Sequence, residues 1–134
     1  MHTTELDVDT GRRELTDLTR EVAAFAREAG GDGLVNVFVP HATATLMVME
    51  TGSGSERDLS ELLERLLPKD DRYSHHHGSR GHGADHLIPL LGSPSLSFPV
   101  IDGRLALGTW QSICLLDRNP DNPHRKVRLS FVSG

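Results

Sequence analysis

The sequence predicts one small domain in which α-helices and β-strands share a single core. The chain has 134 residues, 37% of them hydrophobic, which is enough for one core and too little for two domains. Two stretches carry apolar residues at helical spacing, and several shorter ones are rich in β-branched residues or alternate apolar with polar residues. We therefore expect a single domain over residues 1–134.

A strand and an amphipathic helix are predicted first. Leu6 and Val8 indicate a short strand that is followed by a turn. A helix should then begin near Thr16 and end at Gly30-Gly31, because a glycine pair is a typical C-terminal stop. Its buried face would consist of the residues at helical spacing, which are Leu18, Val22, Phe25, Ala26 and Ala29.

Two strands and a second helix are predicted next. Residues 34–39 place apolar side chains on both faces, which is typical of a strand in the middle of a sheet. Residues 46–50 predict another strand that ends in a carboxylate. Ser55, with Asp58 three positions later, resembles a capping box at the start of a helix, and Pro68 marks the end of that helix.

The last third of the chain is predicted to be mainly β-structure. Asp85 is placed to cap a short helix that extends through Leu91. Asp102-Gly103 is a strong hairpin signal between two apolar stretches. The predicted strands of this region lie at residues 96–100, 104–107, 110–116 and 127–131.

Composition excludes several classes of function. The formal net charge is −5 and the basic residues are scattered, so we expect no nucleic-acid partner. No apolar run approaches the roughly 20 residues that cross a bilayer, and the first residues lack a signal-peptide pattern, so we expect a cytoplasmic protein without a membrane partner. The one cysteine, Cys114, lies in an apolar run that favours a packed, inert thiol. The usual nucleotide-binding, serine-hydrolase and zinc-protease motifs are absent.

A histidine cluster is the most informative feature of the chain. Five of the eight histidines fall within residues 74–86, interspersed with glycines that allow sharp turns. His75 and His77 would point to the same side of an extended backbone, and His82 and His86 would share the face of a helical turn. Imidazole binds zinc-type ions and also titrates near neutral pH. The cluster therefore favours a metal or proton-transfer site, with a solvated polar loop as the alternative.

Two long stretches of the chain are distinctive: residues 33–50 read GLVNVFVPHATATLMVME, and residues 90–116 read LLGSPSLSFPVIDGRLALGTWQSICLL. They resemble the YjbQ-like family (UPF0047), whose members are also described as secondary thiamine-phosphate synthases. The segment 99–111 is the most specific part, and the resemblance extends from about residue 5 to residue 132. It implies an α+β domain with a curved, mainly antiparallel sandwich or barrel-like sheet and two or three outer helices. It also implies a homotrimer and a histidine-lined pocket near the subunit boundary for a metal or an anion.

The resemblance also implies roles for individual residues. The family's histidine, threonine and acidic positions fall on His41, Thr43 and Glu50, its aromatic-x-histidine element on Tyr73 and His75, its later histidine on His86, and its tryptophan-glutamine pair on Trp110 and Gln111. We expect Glu50, His41 and Gln111 to be catalytic. Thr43 and Arg104 would bind the cofactor or anion. His75, His86, His77 and His82 would hold a divalent, zinc-like metal.

The chain departs from the family pattern at two places. Many relatives follow the glutamate with Asn and Asp-Pro-Asp, where this chain has Thr51-Gly52-Ser53-Gly54, so carboxylate ligands expected there are missing. A second histidine near His86 is replaced by Ala84, with His82 four positions upstream of His86. His77 and His82 are therefore the expected replacement ligands, and a loss of some of the family's chemistry is the alternative.

Three functions follow from these residues. The resemblance implies a weak thiamine-phosphate synthase, which joins a pyrimidine diphosphate to a thiazole phosphate and needs a cation for the leaving diphosphate. The histidines favour a zinc-type hydrolase with a metal-activated water and Glu50 as the general base. The third alternative is a non-enzymatic trimeric protein that binds a metal or a small phosphorylated or anionic ligand, with Arg104 contacting the anion.

Overall fold

Two antiparallel sheets form the frame of the computed structural model, which describes residues 1–134. The strands are β1 (His2–Asp9), β2 (Leu15–Asp17), β3 (Gly33–Phe38), β4 (Ala44–Met49), β5 (Ser95–Ile101), β6 (Arg104–Leu105), β7 (Ser112–Asp117) and β8 (His124–Ser133). The five-stranded sheet has the order β1-β8-β3-β5-β6, and the three-stranded sheet has the order β2-β7-β4. The predicted α+β fold with curved, mainly antiparallel sheets is confirmed.

Three helices complete the fold: α1 (Thr19–Ala29), α2 (Ser55–Leu66) and the short α3 (His82–Asp85), which a single 3₁₀ turn follows at Ile88–Leu91. Helix α1 buries Val22, Phe25 and Ala26 in the main core, which confirms the predicted apolar face. None of the helices has the length and apolar composition that crossing a membrane requires.

The main core lies between the two sheets, and a smaller core lies under helix α2. Successive side chains of a strand point to opposite faces, so β7 contributes to both cores. Leu115 packs in the main core, and the adjacent Leu116 packs with Leu63 of α2 and Ile88 of the 3₁₀ turn. Helix α2 therefore covers the outside of the three-stranded sheet. This arrangement places the segment that follows α2, which carries the histidines, at one end of that sheet.

Strand β3 is central in its sheet, as its apolar sequence predicts. It pairs with β8 on one side and with β5 on the other. The hairpin between β5 and β6 is also confirmed, because Asp102 and Gly103 both have positive φ angles, of 52° and 74°. Positive φ at both central residues is the requirement of the tight hairpin turn that the Asp-Gly pair predicts.

The start of helix α1 differs from the prediction. Residues 15–17 form an edge strand against β7, and the helix begins at Thr19 rather than near Thr16. Hydrogen bonds from side chains set this boundary. Asp17 Oδ1 accepts the Thr19 N–H at 2.9 Å, and Thr19 Oγ1 accepts the Ile113 N–H of β7 at 2.8 Å. The helical pattern of the sequence does not reveal these contacts between distant segments.

Both predicted side-chain caps are wrong. Gly54, in a left-handed conformation with φ of 90°, occupies the N-cap of α2, and no side chain caps that helix, so Ser55 and Asp58 form no capping box. Asp85 ends α3 rather than beginning a helix. Its carboxylate instead binds Lys69 Nζ at 2.6 Å, and the side chain is fully buried. An ion pair with a distant lysine thus replaces the predicted cap.

A buried ion pair joins the two sheets. Arg125 of β8 donates from Nε to Asp117 Oδ2 at 2.6 Å and from Nη2 to Asp117 Oδ1 at 3.1 Å. The two side chains are 4% and 1% exposed. Arg125 Nη2 also donates to Thr43 Oγ1 at 2.8 Å, just before β4. The guanidinium therefore connects one strand of the five-stranded sheet with the end of β7 and the beginning of β4.

Replacing Asp117 by asparagine tests this ion pair. The variant leaves a buried guanidinium without its counter-charge, so we expect the free energy of unfolding to fall by about 3–5 kcal/mol. Urea denaturation would measure this change. The matched control is Glu5→Gln, which breaks the exposed pair with Arg128 and should change stability little. Equal, small effects of both substitutions would contradict the role given to Asp117.

Candidate functional site

Four imidazoles converge beside helix α3. His75 and His77 belong to the loop before the helix, His82 begins it, and His86 directly follows it. One ring nitrogen from each lies within 4.8 Å of those of the other three. His82 Nε2 and His86 Nε2 are 2.9 Å apart. All four candidate metal ligands from the sequence thus meet at one point, which we call the histidine site.

His76, the fifth histidine of this region, lies outside the histidine site. Its Nε2–H donates to the backbone oxygen of Asp71 at 2.9 Å, and its side chain is exposed. In an extended segment alternate side chains point to opposite sides. This alternation directs His75 and His77 to the site and His76 to the surface.

Glycines allow the histidine loop to approach helix α3 closely. Gly78 and Gly81 have φ angles of 84° and 75°, in the left-handed region that glycine adopts most readily. At Gly83, within the helix, a Cβ atom would lie 2.5 Å from Tyr73 Cβ and 2.6 Å from the backbone oxygen of His75. Only a residue without a side chain fits there. His75 is thereby brought against the face of α3 that carries His82.

The histidine site is partly buried and contains an unsatisfied ring nitrogen. His82 is 8% exposed, His75 and His86 are half-buried, and His77 is exposed. The Nε2 atom of His75 is buried without a hydrogen-bond partner. A buried polar atom without a partner destabilises the fold unless a ligand satisfies it. The site thus combines convergent ring nitrogens with one buried nitrogen that makes no hydrogen bond.

Burial and mutual proximity favour neutral rings in this site. Burial lowers the pKa of His75, and the neighbouring rings of His77, His86 and His82 lower it further. Burial also lowers the pKa of His86, again assisted by His82 and His77. A neutral imidazole keeps one nitrogen with a free lone pair. These two rings are therefore able to act as ligands near neutral pH.

A carboxylate that sequence reasoning missed lies behind His82. Asp121 Oδ2 is 3.2 Å from His82 Nδ1 and accepts the Ser79 N–H at 3.0 Å. The hydrogen bond from Ser79 is the main cause that lowers the pKa of Asp121. Asp121 belongs to the loop before β8, 39 residues from His82. No local pattern links the two segments, so only the fold reveals this contact.

His41 and Thr43 lie beside the buried ion pair rather than in the histidine site. Thr43 Oγ1 accepts hydrogen bonds from Arg125 Nη2 at 2.8 Å and from Asn119 Nδ2 at 3.2 Å. His41 Nε2 accepts the Lys126 N–H at 2.9 Å. Burial lowers the pKa of His41, and the charge of Arg125 lowers it further. Thr43 thus contacts the loop that carries Asp121 and strand β8, whereas His41 contacts β8 alone.

Glu50 follows strand β4, at the end of the strand that is opposite to Thr43 and the buried ion pair. The strand begins at Ala44, which pairs with Asp117, and ends at Met49, which pairs with Ser112. Six residues of a strand span about 20 Å. Glu50 is exposed beyond that far end, where its Oε1 accepts a hydrogen bond from Ser53 Oγ at 3.4 Å. Within one chain, this predicted catalytic carboxylate is therefore separated from the histidine site.

Arg104 and Gln111 share a separate groove of about 510 Å³, which Arg27 of helix α1 also lines. Gln111 Oε1 accepts the Gly108 N–H at 2.8 Å, which holds that side chain in place. Neither arginine takes part in an ion pair. The candidate catalytic and binding residues thus divide between this groove, the Glu50 end of β4, and the region that contains the histidine site.

Cys114 is not a nucleophile in this fold. The side chain is fully buried in β7, and burial raises the pKa of its thiol to about 12. Nucleophilic attack by cysteine requires the thiolate, which a thiol with this pKa does not provide at neutral pH. The structure therefore agrees with the packed, inert thiol expected from the sequence.

The lowered pKa of His41 predicts a pH-dependent stability. The folded protein disfavours protonated His41, whereas the unfolded chain binds the proton with the ordinary pKa of about 6.5. Stability from this residue is therefore complete above that pKa and is lost as the pH falls below it. We expect urea midpoints to decline from pH 7 to pH 5, and to decline less in His41→Gln. The exposed His124→Gln is the control and should keep the wild-type decline; an unchanged profile in His41→Gln would contradict the prediction.

Comparisons with known proteins agree with the resemblance seen in the sequence. A family model described as "UPF0047 protein YjbQ-like" matches residues 4–134. The chain is 61% identical to UPF0047 protein Rv2556c of Mycobacterium tuberculosis over 134 residues, covering 100% of both chains. It is 37% identical to a UPF0047 protein of Methanothermobacter thermautotrophicus, covering 98% of this chain and 92% of that protein.

Solved structures show the same fold. The crystal structure of hypothetical protein APE1520 from Aeropyrum pernix has a TM-score of 0.88 and 31% identity, with 100% of both chains covered. The conserved hypothetical protein TT1486 from Thermus thermophilus has a TM-score of 0.79 and 32% identity, with 96% of this chain and 99% of that chain covered. With the family match over nearly the whole sequence, these findings show that the chain belongs to the YjbQ-like UPF0047 family.

Proposed function

We propose that this protein binds a divalent, zinc-type metal ion through His75, His77, His82 and His86. The observation that carries the proposal is the convergence of four ring nitrogens within 4.8 Å of one another. The buried Nε2 of His75, which has no hydrogen-bond partner, supports it because an ion between the rings would satisfy that atom.

The distances between the rings fit a tetrahedral ion after small side-chain rotations. A zinc ion lies about 2.0–2.1 Å from each imidazole nitrogen, which separates the nitrogens by about 3.4 Å. This value lies between the 2.9 Å that separates His82 Nε2 from His86 Nε2 and the upper limit of 4.8 Å for the whole set. Nitrogen donors suit zinc, nickel, copper or iron better than magnesium, which prefers oxygen.

Four protein ligands complete the coordination of a tetrahedral ion. Complete coordination by the protein is typical of structural metal sites, whereas catalytic sites keep one position open. Metal binding is therefore the function that this geometry supports best. A metal-dependent hydrolase is the second candidate, and the exposure of His77 favours it because that ligand could give way to solvent. An ion with one open position lowers the pKa of water and supplies a nucleophile. Glu50, the general base first expected, lies at the far end of β4 in the same chain.

A thiamine-phosphate synthase activity is less well supported by the site. Departure of a diphosphate is commonly assisted by magnesium on oxygen ligands, whereas the histidine site offers imidazoles. A small phosphorylated ligand would find its best charge complement in the groove of Arg27 and Arg104, where two guanidiniums lack ion-pair partners. We propose this groove as the place where such an anion binds.

We further propose that copies of the chain assemble into a homotrimer through the outer face of the five-stranded sheet. Leu34, Val132 and Ile101 on that sheet are 50%, 52% and 61% exposed. Leu34 is paired with Val132 of β8 and with Pro99 of β5, so Val132, Leu34 and Pro99 form a row across three strands. Ile101, two residues after Pro99, lies on the same face of the sheet. A continuous apolar surface on a sheet is typical of a protein interface.

Removal of single ligands tests the metal site. Wild-type protein without an affinity tag should bind one zinc ion per chain, measured by elemental analysis after zinc loading and desalting. His75→Ala and His82→Ala should lose that stoichiometric ion, because three imidazoles hold it less tightly. His76→Ala, which changes a neighbouring histidine outside the site, should retain it. Wild-type protein that holds no ion after loading, or ligand variants that keep it fully, would contradict the proposal.

The mass in solution tests the assembly. Light scattering coupled to gel filtration should give about three times the chain mass of 14.7 kDa. Leu34→Glu places a charge in the centre of the apolar row and should yield monomers. Leu66→Glu is the matched control, because Leu66 is 53% exposed on α2, on the other side of the molecule, and should leave the trimer intact. Monomeric wild-type protein would contradict the proposed interface.

A further inference from the structure

We propose that Asp121 is a positioning residue of the metal site, which fixes the orientation and tautomer of His82. This inference rests on the proposed function. Asp121 is not one of the four groups that meet at the centre of the site. It instead contacts the far side of the His82 ring, with Oδ2 lying 3.2 Å from Nδ1.

The contact determines which nitrogen of His82 can bind a metal. A carboxylate can only accept hydrogen bonds, so Nδ1 of the neutral ring must carry the hydrogen and donate it to Asp121. The lone pair then belongs to Nε2, the atom that faces His86 Nε2 at 2.9 Å. A carboxylate behind a ligating histidine also makes the ring a stronger donor to the metal.

The segment before helix α3 packs against the contact between Asp121 and His82. Gly78 lies directly against it, and a Cβ atom at that position would be 2.8 Å from both Asp121 Oδ2 and His82 Nδ1. The same oxygen accepts the Ser79 N–H at 3.0 Å. The loop before helix α3 therefore holds the carboxylate, which is 38% exposed, by a second hydrogen bond.

Buried polar side chains determine the position of Asp121. Its backbone N–H donates to Asn119 Oδ1 at 2.9 Å, and Asn119 Nδ2 donates to Thr43 Oγ1 at 3.2 Å. Thr43 in turn accepts a hydrogen bond from Arg125 of the buried ion pair. Asn119 and Thr43 are 7% and 6% exposed. A continuous chain of hydrogen bonds thus extends from the two sheets to His82.

The test compares zinc affinity and coordination geometry in variants that change the contact behind the His82 ring. Asp121→Asn keeps the shape of the side chain and removes its charge, and Asp121→Ala removes the hydrogen-bond acceptor altogether. Zinc affinity would be measured by competition with a chromophoric chelator, and the visible absorption spectrum of the cobalt-loaded protein would report the coordination geometry. Asp71→Asn, at an exposed position of the same loop, is the matched control.

We expect Asp121→Asn and Asp121→Ala to bind zinc about 10- to 100-fold more weakly than wild type and to show altered cobalt bands. Asp71→Asn should match wild type in both measurements. If Asp121→Ala does not fold, Asp121→Asn supplies the test, because it keeps the shape of the side chain. Wild-type affinity and an unchanged cobalt spectrum in the folded variants would overturn the role of Asp121 alone, whereas failure of wild type to bind zinc would overturn the proposed function as well.

Discussion

The buried pair of Arg125 and Asp117 is the interaction on which the arrangement of this molecule depends. It joins the two sheets through two charge-assisted hydrogen bonds, at 2.6 and 3.1 Å, and both side chains are almost completely buried. Because neither charge can be solvated by water there, the partners require each other. The same guanidinium holds Thr43, and the same carboxylate accepts the Asn119 N–H at 2.9 Å. The pair therefore determines where strand β4 begins and where the loop toward β8 leaves the sheet.

The histidine site combines this fixed frame with a loop whose path depends on glycine. Asp121 approaches from the frame, and His75 and His77 approach from the loop. Gly83 permits the loop to lie within contact distance of α3, and left-handed Gly78 and Gly81 provide its turns. Rings that are partly buried and crowded together remain neutral more readily than exposed ones. Packing and electrostatics thus act in the same direction, toward a set of nitrogen ligands with free lone pairs.

The sequence predicts those features that depend on contacts between neighbours in the chain. The apolar face of α1, the Asp102-Gly103 turn and the shared face of His82 and His86 are of this kind, and the structure contains all three. The resemblance to the family supplied the curved antiparallel sheets, which periodicity alone does not specify. Contacts between distant segments could not be predicted, because no local pattern encodes them. Strand β2 exists through its pairing with β7, and Asp121 reaches His82 only through the folded loop. The separation of Glu50 from the histidines likewise depends on the direction of β4.

In the proposed metal centre, imidazoles from one short segment of this chain surround the ion. X-ray absorption spectroscopy of the zinc-loaded protein tests this arrangement most directly, because it reports the identity and distance of the atoms around the ion. We expect nitrogen ligands at about 2.0–2.1 Å, with the outer scattering that several imidazole rings produce. A shell dominated by carboxylate or water oxygens without imidazole scattering, or one that contains sulfur from Cys114, would contradict this arrangement.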